Sequence, residues 1–209
     1  MKPEIFQTQL LTFLNDHLYV LQNAHREWVI KGFIDIYKNI YPVSIDTKVV
    51  SKIIELLLFP TLTEFARTHH LKMVLAKEQN YYPDISLIDE SDNTLFALDL
   101  KSTYRKIETQ VNGFTLGAFT GYFRNRNSTK NIMYRYDEYN AHFILGVIYS
   151  KSETDALAES QIFHIDELEE ICSHISDFTF LVQEKYRIAS TRPGSGNTKT
   201  LVPLLTLSC

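Results

Sequence analysis

PDISLIDESDNTLFALDLKSTY, residues 83–104, decides how this chain folds. A short alternating run, Asp84 to Ile88, and a longer one, Thr94 to Tyr104, flank Asp89-Glu90-Ser91-Asp92-Asn93, a cluster of turn formers. The pattern predicts two strands folded back on each other. Side chains alternate between the faces of a strand, so Asp99 and Lys101 share a face with Ala97, while Phe96, Leu98 and Leu100 take the apolar opposite face. Fourteen residues separate Asp84 from Asp99, and folding across the turn brings the two carboxylates together beside Lys101. Like charges this close repel unless something neutralises them. A hard divalent cation does so, and Mg²⁺ favours one or two protein carboxylates completed by water and substrate phosphate. Such an ion lowers the pKa of a bound water and stabilises charge on phosphorus. Lys101 is placed to orient or help deprotonate the attacking water and to stabilise the transition state. These are parts for phosphodiester hydrolysis, although the same spacing also serves a surface ion pair between Asp99 and Lys101. Glu55 interrupts the apolar segment VVSKIIELLLF. A carboxylate is costly to bury alone, so it sits either at an exposed helix margin or against a positive partner such as a metal ion.

Outward from this hairpin, Phe6, Leu10, Phe13, Leu14, Leu18 and Leu21 recur at helical spacing and predict a helix within residues 4–24. Residues 27–41, rich in β-branched and aromatic side chains, read as a strand or ribbon. Ser44 or Asp46 is placed to cap a helix that runs to about His69 and is bent or divided at Pro60. AHFILGVIYS, residues 141–150, fits a buried strand. FHIDELEEICSH reads as an acidic helix and FTFLVQEKYRIAS as a further strand. The expected fold is an α/β (α+β) arrangement, with a mixed central sheet flanked by helices in a single domain spanning residues 1–209.

Composition narrows the function classes. No apolar run reaches the roughly 18–20 residues of a membrane span, and MKPEIFQTQL lacks a signal core, so a cytoplasmic, prokaryotic protein without a membrane partner is expected. Cys172 and Cys209 show no metal-ligand spacing, which argues against zinc and against a structural disulfide. The net charge of −4 hides segregation. Between residues 101 and 135, Lys101, Arg105, Lys106, Arg124, Arg126, Lys130 and Arg135 face Glu108 alone, whereas residues 151–177 are strongly acidic. One part of such a chain is able to face a polyanion. RPGSGNTKT, residues 192–200, resembles a phosphate-binding loop only superficially. Thr198 rather than Gly precedes Lys199, and the remaining LVPLLTLSC is too short and too broken by Pro203 for the helix that such a loop requires.

Taken in order, IDTKVVSKIIELL, EQNYYPDISL, ALDLKSTY, FTLGAFTGYFRN, STKNIMYRYDEYNAHFILGVIY and PGSGNT resemble the EcoRV-type type II restriction endonucleases, a family of PD-(D/E)xK nucleases. The resemblance covers most of residues 41–200. It implies that Asp84 and Asp99 bind metal, that Lys101 is the catalytic lysine and that Glu55 is an additional carboxylate of the metal site. It makes Gly194, Ser195, Gly196, Asn197 and Thr198 a major-groove recognition loop, and Gln79 and Asn80 a minor-groove loop. Thr47, Lys48, Thr103 and Lys130 fall where the family meets or supports the DNA backbone. The loop chemistry agrees. Glycines admit backbone groups to base edges, Asn pairs with adenine N6 and N7, and the Thr methyl meets thymine.

The resemblance further implies a homodimer on a palindrome, with residues 27–41 in the interface. The expected target is GATATC, bent at its flexible central TA step and cut bluntly to leave 5′-phosphates. Mg²⁺ is the expected cofactor, with Mn²⁺ substituting and Ca²⁺ supporting binding without cleavage. A companion DNA methyltransferase would protect host DNA. The chain departs from the family pattern at Arg192-Pro193 and Lys199-Thr200, and it stops at Cys209 where the family continues with a region that helps wrap the duplex; weaker DNA binding is the expectation. Two other readings keep much of this pattern: a repair or junction nuclease that reads DNA shape, and a non-catalytic DNA-binding module.

Overall fold

The computed structural model describes residues 1–78, 80–108, 110–113, 115–116, 119–152 and 161–190. Its centre is a mixed sheet in the order β3 (Leu71–Leu75), β4 (Ile85–Asp89), β5 (Thr94–Ile107), β7 (Ala141–Lys151), β9 (Ile175–Glu184), with the short β6 (Gln110–Val111) paired to β5. The hairpin expected from residues 83–104 is β4 and β5, antiparallel with Ile85 opposite Leu98 and Asp89 opposite Thr94. β5 then runs parallel to β7, with Asp99 level with Ile144. β9 closes the sheet antiparallel to β7.

Two helices cover one face. Helix α1 (Pro3–Asp16) presents Phe6, Leu10 and Leu14 to the sheet. Helix α2 (Thr47–Thr68) presents Val50, Ile54, Leu58, Leu62 and Phe65. They meet Phe96 and Leu98 of β5, Phe143 and Leu145 of β7, and Phe180 and Val182 of β9. Asp46 caps α2 by accepting from the N–H groups of Lys48 and Val49, as its position suggested. Pro60 does not divide the helix, which is continuous through it. The proline lies on a margin where Leu56 and Phe59 reach solvent, so the carbonyl left without an N–H partner is open to water.

The opposite face of the sheet is covered by residues of the β5–β7 connection. Leu116, Ile132 and Tyr136 pack on Ile144 and Ile148, and Tyr139 packs on Leu95 and Ala97. Short α3 (Phe119–Arg124) and α4 (Lys185–Ile188) complete the mixed architecture. A separate small sheet joins β1 (Gly32–Ile34), β2 (Asn39–Pro42) and β8 (Phe163–His164), which gives residues 27–41 the expected ribbon.

Three elements differ from the sequence pattern. Strand β3 was not expected; it is an edge strand whose polar Lys72 and mixed burial give no clean alternation. The acidic helix expected at residues 163–174 is a two-residue strand followed by a 3-10 segment, Ile165–Glu170, started by His164 accepting from the Asp166 N–H. The strand expected to run to residue 190 ends at Glu184, where α4 begins. Among the described residues no helix is long and apolar enough to cross a membrane.

Candidate active site

Strand register builds the site. One step beyond the Ile85–Leu98 pair, Asp84 faces Asp99. The Leu100 N–H donates to Asp84 Oδ2 at 2.7 Å and anchors that carboxylate to the neighbouring strand. Alternation along β5 sends Leu98 into the helix-side core and Asp99 with Lys101 to the other face. Lys101 Nζ lies 3.1 Å from Asp99 Oδ1 and 3.6 Å from Asp84 Oδ2, and it donates to the Leu100 carbonyl at 2.9 Å. The three side chains that the sequence singled out therefore converge.

Their environments differ. The Asp84 side chain keeps 43% of its exposure, whereas Asp99 is buried at 6%. Partial burial and the neighbouring Asp99 charge push the Asp84 carboxyl up to about 7. Burial pushes Asp99 the same way, but the ammonium groups of Lys185 and Lys101 outweigh it and hold Asp99 well below the usual carboxylate range. Burial would lower Lys101, yet the two carboxylates raise it, so it stands as an ammonium.

A second lysine completes the cluster. Lys185, at the start of α4, is 1% exposed and donates to Asp99 Oδ2 at 2.8 Å. Its Nζ lies 4.2 Å from the centre of the Tyr82 ring. The Tyr82 hydroxyl is 2.9 Å from His142 Nδ1, and His142 Nε2 is 3.0 Å from the Tyr136 carbonyl. A carbonyl only accepts, so Nε2 carries the hydrogen and Nδ1 accepts from Tyr82. Burial pushes His142 down to about 3, and it stays neutral. Sequence reasoning missed Lys185. The signal was present: Phe178, Phe180 and Val182 fill the helix-side core, so Thr179, Leu181, Gln183 and, two residues on, Lys185 fall to the Asp99 side.

Glu55 is a correction to its expected place. Its carboxylate pairs with Lys52 at 2.8 Å on the α2 surface and is 51% exposed; it takes the exposed-margin alternative rather than joining the acidic pair. Among the described residues no set of three or more His, Cys, Asp or Glu side chains converges on a metal position. Two adjacent carboxylates with a solvent-facing side do fit magnesium, whose remaining positions belong to water and phosphate. Beside them runs a groove of about 410 Å³ lined by Thr47, Lys48, Ser51, Lys101, Ser102 and Thr103. The Thr103 hydroxyl donates to the Asn112 carbonyl, which gives it a supporting place in the groove wall. Lys130 and Asn80 are exposed on loops. Gln79 and the loop Gly194, Ser195, Gly196, Asn197, Thr198 lie outside the described residues.

Comparison with known proteins identifies the family. The family described as Restriction endonuclease EcoRV matches residues 24–206. The type II restriction enzyme EcoRV of Escherichia coli is 35% identical over 192 residues, covering 91% of this chain and 77% of that enzyme. A solved bacterial homing endonuclease, I-Ssp6803I, aligns over 71% of this chain and 84% of its own at 15% identity, with a TM-score of 0.28, a likeness too loose to bear on fold or site. The family match and a relative this similar over this much of both chains place the protein in the EcoRV family: it is a type II restriction endonuclease, a hydrolase acting on double-stranded DNA.

Proposed function

We propose that the enzyme is a Mg²⁺-dependent homodimer that hydrolyses both strands of DNA at a palindrome, GATATC, cutting bluntly at its centre to leave 5′-phosphates. The observation that carries this reading is the convergence of Asp84, Asp99 and Lys101 beside the groove lined by Thr47 and Lys48. Asp84 and Asp99 would hold the magnesium ion. When bound, it supplies a water of lowered pKa and positive charge against a phosphoryl oxygen. Lys101, as an ammonium, donates toward the negative charge that builds on the phosphate oxygens. Water loses a proton as its oxygen bonds to phosphorus in line with the departing 3′-oxygen, the P–O3′ bond breaks, and the 3′-oxygen takes up a proton from solvent, so the products are a 3′-hydroxyl and a 5′-phosphate.

Lys48 and Lys130 supply positive charge to the DNA backbone, and Thr47 supplies a hydroxyl at the first turn of α2. Gly194 to Thr198 would read the major groove, and Gln79 with Asn80 the minor groove. Dimerisation is supported by the β1–β2 ribbon, where Phe33, Ile34, Ile36 and Tyr37 are exposed together. A methyltransferase of the same specificity would protect host DNA. Digestion of plasmids tests the reading: Mg²⁺ or Mn²⁺ should give discrete fragments with blunt, ligatable ends at GATATC. Asp99→Ala should abolish cutting while retaining duplex binding in Ca²⁺. Absence of cutting at any protein and metal concentration, or cuts that follow DNA structure rather than sequence, contradicts it.

A further inference from the structure

Both oxygens of Asp99 are already engaged in the free protein: Oδ1 by Lys101 at 3.1 Å and Oδ2 by Lys185 at 2.8 Å. The two lysines are not equivalent. The Lys101 side chain is 29% exposed and borders the groove, so it has room to withdraw. Lys185 is enclosed, with the Tyr82 ring against its ammonium, and Tyr82 is itself held by His142. Its position follows from the end of β9 and does not depend on solvent. The ion pairs set two lysine side chains against the two carboxylates, so the free protein does not offer a dication the net negative charge that paired carboxylates alone would supply.

We propose that Lys185 is a positioning residue that fixes Asp99 through Oδ2 and, as a built-in counter-charge, makes capture of a divalent cation conditional on DNA. A phosphodiester entering the groove brings the negative charge that the lysines have removed, so cation and DNA bind together. Replacing Lys185 by an uncharged side chain of similar length leaves the carboxylates in excess and should let the free protein take the cation unaided. A residue serving only as a packing element has the opposite signature: its loss disorders Asp99 and weakens metal binding.

This inference rests on the reading of Asp84 and Asp99 as metal ligands. The test is titration of the protein with Mn²⁺, followed by electron paramagnetic resonance, with and without a GATATC duplex. Lys185→Met should bind Mn²⁺ about tenfold or more tightly than wild type without DNA. Lys185→Arg, which keeps the charge, should restore the wild-type affinity. Unchanged or weaker Mn²⁺ binding by folded Lys185→Met would overturn the proposal. The wild-type titration keeps it falsifiable if Lys185→Met does not fold, since equal Mn²⁺ affinity with and without duplex also overturns it. Asp99→Asn separates the two levels. Loss of Mn²⁺ from its duplex complex upholds the metal-site reading even where the Lys185 proposal fails, and retention sinks both.

Discussion

Asp84 and Asp99 are made neighbours by register, and the sequence foretold this because the turn residues between two apolar runs set the hairpin. Lys101 followed from alternation alone. Removing its ammonium should therefore remove charge stabilisation without unmaking the fold. Lys101→Met is expected to lower the cleavage rate by about 10²–10³-fold, with duplex affinity in Ca²⁺ nearly unchanged, measured by single-turnover kinetics and by gel shift. Lys185 was harder to read, because a lysine after an apolar strand ordinarily marks the strand's exit to solvent. Only knowing which face Asp99 occupies gives the residue a partner. Glu55 was ambiguous for a related reason. An acidic residue in an apolar helix is either partnered or marginal, and Lys52 one helical turn earlier decides for the margin.

At the level of elements, α2 was legible from its cap and periodicity. Asp46 satisfies the Lys48 and Val49 N–H groups, so Asp46→Ala should cost about 1 kcal/mol of stability in chemical denaturation. The 3-10 segment at Ile165–Glu170 was misread because an acidic run with scattered apolar residues fits a helix locally, while β8 pairing with β2 and the burial of Ile171 confine it to six residues, two 3-10 turns. β3 gave no sign because an edge strand needs no regular alternation. β7 carries a pH-sensitive element in His142, which stacks on Tyr136 at 3.6 Å. Its folded pKa of about 3 lies below the ordinary 6.5, so between these values the unfolded chain binds more protons. Stability should then fall with falling pH across that window, by up to about 1.4 kcal/mol per pH unit from this one group. His142→Gln should flatten the slope in urea titrations at pH 3.5 to 6.5. An unchanged slope would assign the acid sensitivity elsewhere.

For the whole molecule, local patterns indicated the mixed class but not the topology. The parallel pairing of β5 with β7 depends on a long crossover, which no short-range signal encodes. The ribbon at residues 27–41 was legible as strand; Trp28 and Ile40 are buried, while Phe33, Ile34, Ile36 and Tyr37 reach solvent, Ile36 at 89% exposure. A surface of this kind fits a second copy of the chain. On the proposed homodimer, Ile36→Glu combined with Tyr37→Glu should shift the sedimenting species from dimer to monomer in analytical ultracentrifugation and convert double-strand cleavage into slow nicking. The central claim is that Asp84 and Asp99 together hold the catalytic cation against DNA. Anomalous diffraction from crystals of the protein with a GATATC duplex and Mn²⁺ tests it most directly. The account predicts a Mn²⁺ peak within coordination distance of an oxygen from each aspartate and of a phosphate oxygen. A peak that engages neither carboxylate, in crystals where the duplex occupies the groove, would contradict it.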